Sequence, residues 1–178
     1  MKGVVFVELL KMAEDAFGED TVDDVLEQAG IDGAYTAVGN YPCSELVSIV
    51  SAFSAHSGIS GDVLQRKFGH WMMQFFNENY PGFFENKPGP FEMLEAVDGE
   101  IHVEVRKLYP DAELPRFVTE RKSADELEMV YSSPRPLVDF CHGLIESCVD
   151  HFDRSAEIGS APVESQQNST AFRIRLTK

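Results

Sequence analysis

The sequence predicts an α+β fold: a helical amino-terminal lobe, then a carboxy-terminal lobe in which an antiparallel sheet is combined with helices. Three observations carry that prediction. Apolar residues recur at helical spacing through the first two-thirds of the chain, and they alternate with polar residues in the last third. The two patterns follow one another in blocks around one late helix, rather than interleaving as βαβ units.

From Lys2 to Phe17, the apolar residues Val4, Val5, Leu9, Met12, Ala13 and Ala16 trace a helix that Gly18 stops. Thr21 caps a second, acidic helix with apolar positions Val22, Val25, Leu26 and Ala29, ending at Gly30. Ile31–Pro42 is rich in breakers, with Gly33, Gly39, Asn40 and Pro42, and Ser44–Ala55 resumes helical periodicity up to about Gly58. Asp62–Asn79 carries Val63, Leu64, Phe68, Trp71, Met72, Phe75 and Phe76, a stripe too wide for a helix with one solvated face, so this helix is expected to be largely buried.

Lys87-Pro88-Gly89-Pro90 punctuates the chain. Phe91, Leu94, Val97, Ile101, Val105 and Leu108 then trace one helical stripe ending before Pro110. Phe117–Arg121 and Glu126–Ser132 read as two strands about a turn, and Pro134–Phe152 as a helix. In the tail, Phe172, Ile174 and Leu176 alternate with Arg173, Arg175 and Thr177. That is a half-buried strand able to pair with the stretch before Gln166-Gln167-Asn168-Ser169.

With 178 residues, 43% apolar and 25% charged, the chain has the composition of an ordinary globular domain with a real core. Thirty acids against 15 Lys and Arg give a net charge of -15, which repels polyphosphate backbones and anionic headgroups, so no nucleic acid and no membrane surface is expected as partner. No stretch approaches the ~20 apolar residues of a membrane span. The apolar start is broken by Glu8 and followed by Lys11, Glu14 and Asp15, unlike a secretory signal, and Lys2 stands where myristoylation needs glycine. Cys43, Cys141 and Cys148 suggest neither a disulfide framework nor a paired-cysteine zinc site, and the cytoplasm is the expected location.

Familiar catalytic signatures are missing: no phosphate-cradling Gly loop with Lys-Ser/Thr, no Gly-x-Ser-x-Gly elbow, no His-Glu-x-x-His helix. Acidic pairs such as Glu14-Asp15 and Asp23-Asp24 read as solvated faces. His102 stands out because it borders the stripe Ile101, Val105, Leu108 and so points at or near the core. A histidine so placed is more often a hydrogen-bonded structural residue than a ligand. His56, His70, His142 and His151 rank lower.

Tyr131-Ser132-Ser133-Pro134-Arg135 is the second constellation. In an extended segment Tyr131, Ser133 and Arg135 face one way, presenting a phenol, a hydroxyl and a guanidinium that a carboxylate or phosphate would need together. Strand packing by Tyr131 and a helix cap by Ser133 is the plainer alternative.

Tyr131-x-Ser133-x-Arg135, with His102 upstream and Pro115 between, resembles the signature of the H-NOX family of haem-binding nitric oxide and oxygen sensors. The resemblance runs from Met1-Lys2-Gly3 through the Phe68-Gly69 helix to the final hairpin. It implies a single domain over residues 1–178, with a helical lobe over about 1–60 and a haem-ligating, sheet-containing lobe over 61–178, and haem b between them. It further implies that His102 is the proximal iron ligand and the only metal-ligating residue. Tyr131, Ser133 and Arg135 would hold the propionates, and Pro115 would press on the porphyrin and distort it.

Oxygen-binding members of the family carry a distal tyrosine. The equivalent position here is Phe140, with Leu9 and Met72 at the supporting positions, and none of the three has a hydrogen-bond donor. Val5 and Leu144 complete the expected cofactor-binding set. The resemblance therefore implies ferrous haem that takes nitric oxide, and also carbon monoxide, while discriminating against oxygen. It also implies that nitric oxide breaks the iron–His102 bond, freeing the helix to move, and that the output lies on a separate histidine kinase or a diguanylate cyclase or phosphodiesterase. The chain is then a sensor and not an enzyme. Two rivals are a haem enzyme of peroxidase type, or an oxygen-binding protein, and a haem-free interaction module of the same fold. Cys141 and Cys148, two turns apart on one helix, read as small buried apolar residues.

Overall fold

The computed structural model describes residues 1–177. Four helices come first: α1 (Gly3–Phe17), α2 (Glu19–Ala29), α3 (Cys43–Ser57) and α4 (Gly61–Asn79). The face α1 buries is Phe6, Leu9 and Ala13, whereas Val4 and Val5 are half-buried and Ala16 is exposed, so the expected stripe is rotated. Thr21 does not cap α2. The helix starts directly after α1 with Gly18 at its amino end, because the junction needs a φ of 85° that a residue with a Cβ resists. Gly30 and Gly58 end α2 and α3 in the left-handed conformation, as their sequence positions suggest. On α4, Leu64, Phe68 and Met72 are buried, while Trp71, Phe75 and Phe76 are only half-buried and Val63 is exposed.

The expected single helix Phe91–Leu108 is divided. It runs as α5 (Pro90–Ala96), one turn of π-helix (Val97–Ile101) and α6 (His102–Leu108). Gly99 sits inside the wide turn, where the chain takes up an extra residue at the cost of helix regularity. Each residue added to a turn rotates everything downstream by roughly 100°. Leu108 is therefore 65% exposed instead of reaching the core.

The strands β1 (Arg116–Arg121), β2 (Glu126–Ser132), β3 (Ser155–Pro162) and β4 (Ser169–Thr177) form one antiparallel sheet in the order β1-β2-β4-β3. The helix α7 (Val138–His151) begins later than Pro134, because Pro134 and Pro136 push the residues before them out of helical backbone. The inner face of the sheet buries Leu127, Met129 and Tyr131 from β2 and Phe172 and Ile174 from β4. These pack with Phe91, Leu94, Ile145 and Cys148 into one apolar cluster, while a second gathers Phe6, Leu9, Ile49, Phe53, Phe68 and Met72. Cys141 and Cys148 are buried, and burial pushes the Cys148 thiol up to about 12.

α4 and α7 join the two clusters at a backbone-to-backbone crossing. A Cβ on Gly69 would lie 2.4 Å from the Phe140 carbonyl oxygen, and one on Gly143 would lie 2.1 Å from that of Arg66. Only glycine allows the helices so close. Among the described residues no helix is long and apolar enough to cross a membrane.

Candidate functional site

His102 opens α6, and its side chain is 12% exposed. Burial lowers its pKa below the ordinary 6.5 despite the opposing carboxylate of Asp98, so the ring is neutral, the form that can give a lone pair to a metal. Its Nδ1 is buried without a hydrogen-bond partner. The ring continues into a row of aromatics: His102 to Phe117 with centroids 5.7 Å apart, then Phe117 to Tyr131 at 5.6 Å. β1 and β2 create that row by pairing Phe117 with Tyr131 across the ladder. Pro115, just before β1, has its carbonyl beside the His102 ring.

Tyr131 is buried on β2, and burial raises its phenol pKa against the opposing Ser133 hydroxyl. The segment after β2 is not extended, which corrects the expectation of alternating faces. It bends, and Arg135 N–H donates to Ser133 Oγ at 3.2 Å. Ser133 is accordingly a turn residue and not a helix cap. The bend still brings Arg135 close enough to Tyr131 for its charge to act on the phenol. The Arg135 guanidinium donates to the carbonyl oxygen of Glu113 at 2.6 Å and to its Oε2 at 2.7 Å. Two of its five N–H donors are then engaged and three remain. Cys43, at the start of α3, also feels the Arg135 charge, but burial outweighs it and the thiol pKa rises.

Val5, Leu9, Met72, Phe140 and Leu144 come together from α1, α4 and α7 in the amino-terminal cluster, with Leu144 touching the sheet-side cluster as well. Phe140 rests on Phe68 with centroids 5.1 Å apart. Glu8 is the buried acid in this half. It accepts from Trp71 Nε1 at 3.0 Å and Lys11 Nζ at 2.7 Å, so the residue that interrupts the apolar start is a paired one.

Where α4 and α7 cross, Glu146 accepts from the Arg66 guanidinium, lies 3.0 Å from His70 Nε2 and 3.7 Å from His142 Nε2. Burial acts to raise the Glu146 pKa, but hydrogen bonds from Arg66 and His70 outweigh it and hold the carboxyl below its ordinary value. Burial and then the Arg66 charge lower that of His142 below 6.5. The unfolded chain therefore takes up this proton first. The stability from a neutral His142 is complete above pH 6.5 and is lost as pH falls towards the folded pKa. His102 has the same sign in haem-free protein. The thermal midpoint of haem-free protein is expected to drop between about pH 7 and pH 5, measured by calorimetry, and a flat profile would contradict the assignment.

Sequence reasoning missed Asp98, Asp111 and Glu113. Asp111 accepts from Lys2 Nζ at 2.9 Å and Asn40 Nδ2 at 2.7 Å, tying the segment after α6 to the amino-terminal lobe. The signal for Asp98 was an acid one turn before a histidine. Asp111 and Glu113 gave none, because their partners are distant in sequence. Among the described residues no group of three or more His, Cys, Asp or Glu side chains converges as a protein-only metal site would require. The donor set fits an iron porphyrin instead: one neutral imidazole, a phenol, hydroxyl and guanidinium suited to carboxylates, and apolar side chains gathered from α1, α4 and α7.

The haem-NO-binding family model matches residues 2–160. The ferrous, unliganded H-NOX protein of K. algicida is 37% identical, with a TM-score of 0.92 over 100% of this chain and 97% of that one. The H-NOX of Shewanella woodyi, solved bound to IWP-051 in its Fe(II)CO state, is 34% identical, with a TM-score of 0.84 over 98% of this chain and 94% of that one. The H-NOX protein of S. oneidensis in its Fe(II)NO state shares the fold at 23% identity and a TM-score of 0.90, over 100% of both chains. No curated protein sequence matches this chain.

Proposed function

We propose, since this chain belongs to the haem-NO-binding (H-NOX) family of haem-based gas sensors, that it senses nitric oxide at ferrous haem b and discriminates against oxygen. The observation that carries the reading is the neutral, largely buried His102 at the head of a short helix, together with an apolar set in the amino-terminal cluster that holds no donor at Leu9, Met72 or Phe140. Haem, when bound, would supply a ferrous centre able to take a diatomic gas. His102 would hold the iron through its imidazole. Tyr131, Ser133 and Arg135 hold the propionates, with Glu113 steadying the Arg135 fork from behind. Pro115, whose carbonyl lies beside the His102 ring, would press on the porphyrin, and Val5 and Leu144 would pack against it.

Release of His102 from the iron on nitric oxide binding would leave α6 free to shift. That makes α6 a two-state element biased by a ligand. Its outer surface carries exposed Val103 and Leu108, which a partner would meet directly. The partner is a separate histidine kinase or a diguanylate cyclase or phosphodiesterase, and the net charge of -15 steers a basic docking face. The domain itself performs no catalysis and works in the cytoplasm.

The test is the visible absorption of the reduced protein titrated with nitric oxide, carbon monoxide and oxygen. The first two are expected to shift the spectrum and oxygen in air to leave it unchanged. A stable spectral change in air would defeat the selectivity. Phe140→Tyr places a hydroxyl donor in this apolar set and is expected to raise oxygen affinity about tenfold or more, since a hydrogen bond to the charge on bound oxygen, worth about 1.5 kcal/mol or above, is gained. An unchanged oxygen affinity would remove Phe140 from the selectivity role.

A further inference from the structure

We propose that Asp98 is the positioning residue for His102: its carboxylate accepts the proton of His102 Nδ1–H and so sets the strength of the bond His102 makes to iron. This rests on His102 being the iron ligand. A histidine that ligates metal through one nitrogen carries a proton on the other, and that proton is nearly always given to a carboxylate, a carbonyl or water, which orients the ring and raises its basicity. Here Nδ1 is buried and unpaired, and Asp98 Oδ1 lies 3.6 Å away, just beyond hydrogen-bonding distance.

The carboxylate is held at that place from three directions. The backbone N–H of Phe117 donates to the same Oδ1 at 3.3 Å. Arg116 Nε lies 3.4 Å from Oδ2. The π-turn that begins at Val97 sets Asp98 one turn before His102 on the same side of the helix. An ionised oxygen with one lone pair taken by Phe117 has another for the imidazole. β1 is therefore joined to the ligand through Asp98, so a shift of α6 against β1 changes the hydrogen bond as well as the position of His102.

The competing acceptor is the Pro115 carbonyl beside the ring. Asp98→Asn, Asp98→Glu and the parent, each loaded with ferrous haem, separate the two when the iron–histidine stretching frequency is read by resonance Raman. Asp98→Asn is expected to lower the frequency, because a neutral amide is the weaker acceptor, and Asp98→Glu to restore it towards the parent. An unchanged frequency in Asp98→Asn overturns the proposal, and a lowered thermal midpoint without a frequency shift gives Asp98 a structural role only, which overturns it equally. In His102→Gly filled from solution, imidazole is expected to report Asp98→Asn, whereas 1-methylimidazole, which has no N–H, is expected not to. Sensitivity with both overturns the hydrogen bond. If His102→Gly leaves the axial ligation as in the parent, the reading of His102 as ligand fails, an outcome distinct from failure of Asp98.

Discussion

His102→Gly is expected to abolish the spectrum of ferrous haem held by a protein imidazole and to weaken haem retention by more than about 100-fold. Loss of a residue that merely supports a metal ligand already costs about 10–100-fold in affinity, and here the proposed ligand itself is removed. No other histidine stands in for it. His70 and His142 are tied into the Arg66–Glu146 network at the α4–α7 crossing, His151 packs against Phe84 and Phe152, and His56 is exposed at the end of α3 against Phe17. The proposed propionate donors stay in place in this variant, because Tyr131, Ser133 and Arg135 are fixed by β2, the bend after it and Glu113. Haem is thus expected to associate weakly and to respond to imidazole added in solution. Visible spectra and transfer of haem to an acceptor protein measure both quantities, and an unaltered spectrum would end the assignment of His102.

Gly143→Ala is expected to destabilise the fold by about 2 kcal/mol or more, lowering the thermal midpoint by roughly 4–8 °C for a chain of this length. Two effects oppose each other. Alanine is the better helix former by about 1 kcal/mol. Against that, the new methyl would sit 2.1 Å from the Arg66 carbonyl oxygen, a backbone atom that cannot turn aside. The clash wins, because relieving it requires α4 and α7 to part along their whole contact. That separation loosens the Phe68–Phe140 contact and the Arg66–Glu146 pair together. Gly159→Ala on β3 is the control: its Cβ would meet nothing within 4 Å, and a change within about 0.5 kcal/mol of the parent is expected. Equal midpoints for Gly143→Ala and the parent would show that the crossing adapts.

Much of this was legible before any coordinates. β2 runs over Glu126–Ser132 as its alternation indicates, since a strand with one buried face must show period two. Cys141 and Cys148 are buried as small apolar residues on α7. The π-turn before His102 was not legible. A single extra residue leaves Ile101, Val105 and Leu108 at helical spacing on paper, and only the packed helix shows the rotation that turns Leu108 outward. The start of α7 was misplaced for a local reason, the alternation of prolines at 134 and 136, which the apolar periodicity beyond them obscured.

The sequence by itself determined the class of fold and the order of its main elements, because periodicity and side-chain chemistry are local properties written one residue at a time. The tertiary structure alone decided which carboxylate faces His102, that Glu113 holds the Arg135 fork, and that Gly69 and Gly143 let two helices touch backbone to backbone. Those pairings join residues far apart along the chain, or across a turn whose pitch depends on packing. Their energies are contact energies, and a contact exists only once both partners have been brought to the same place.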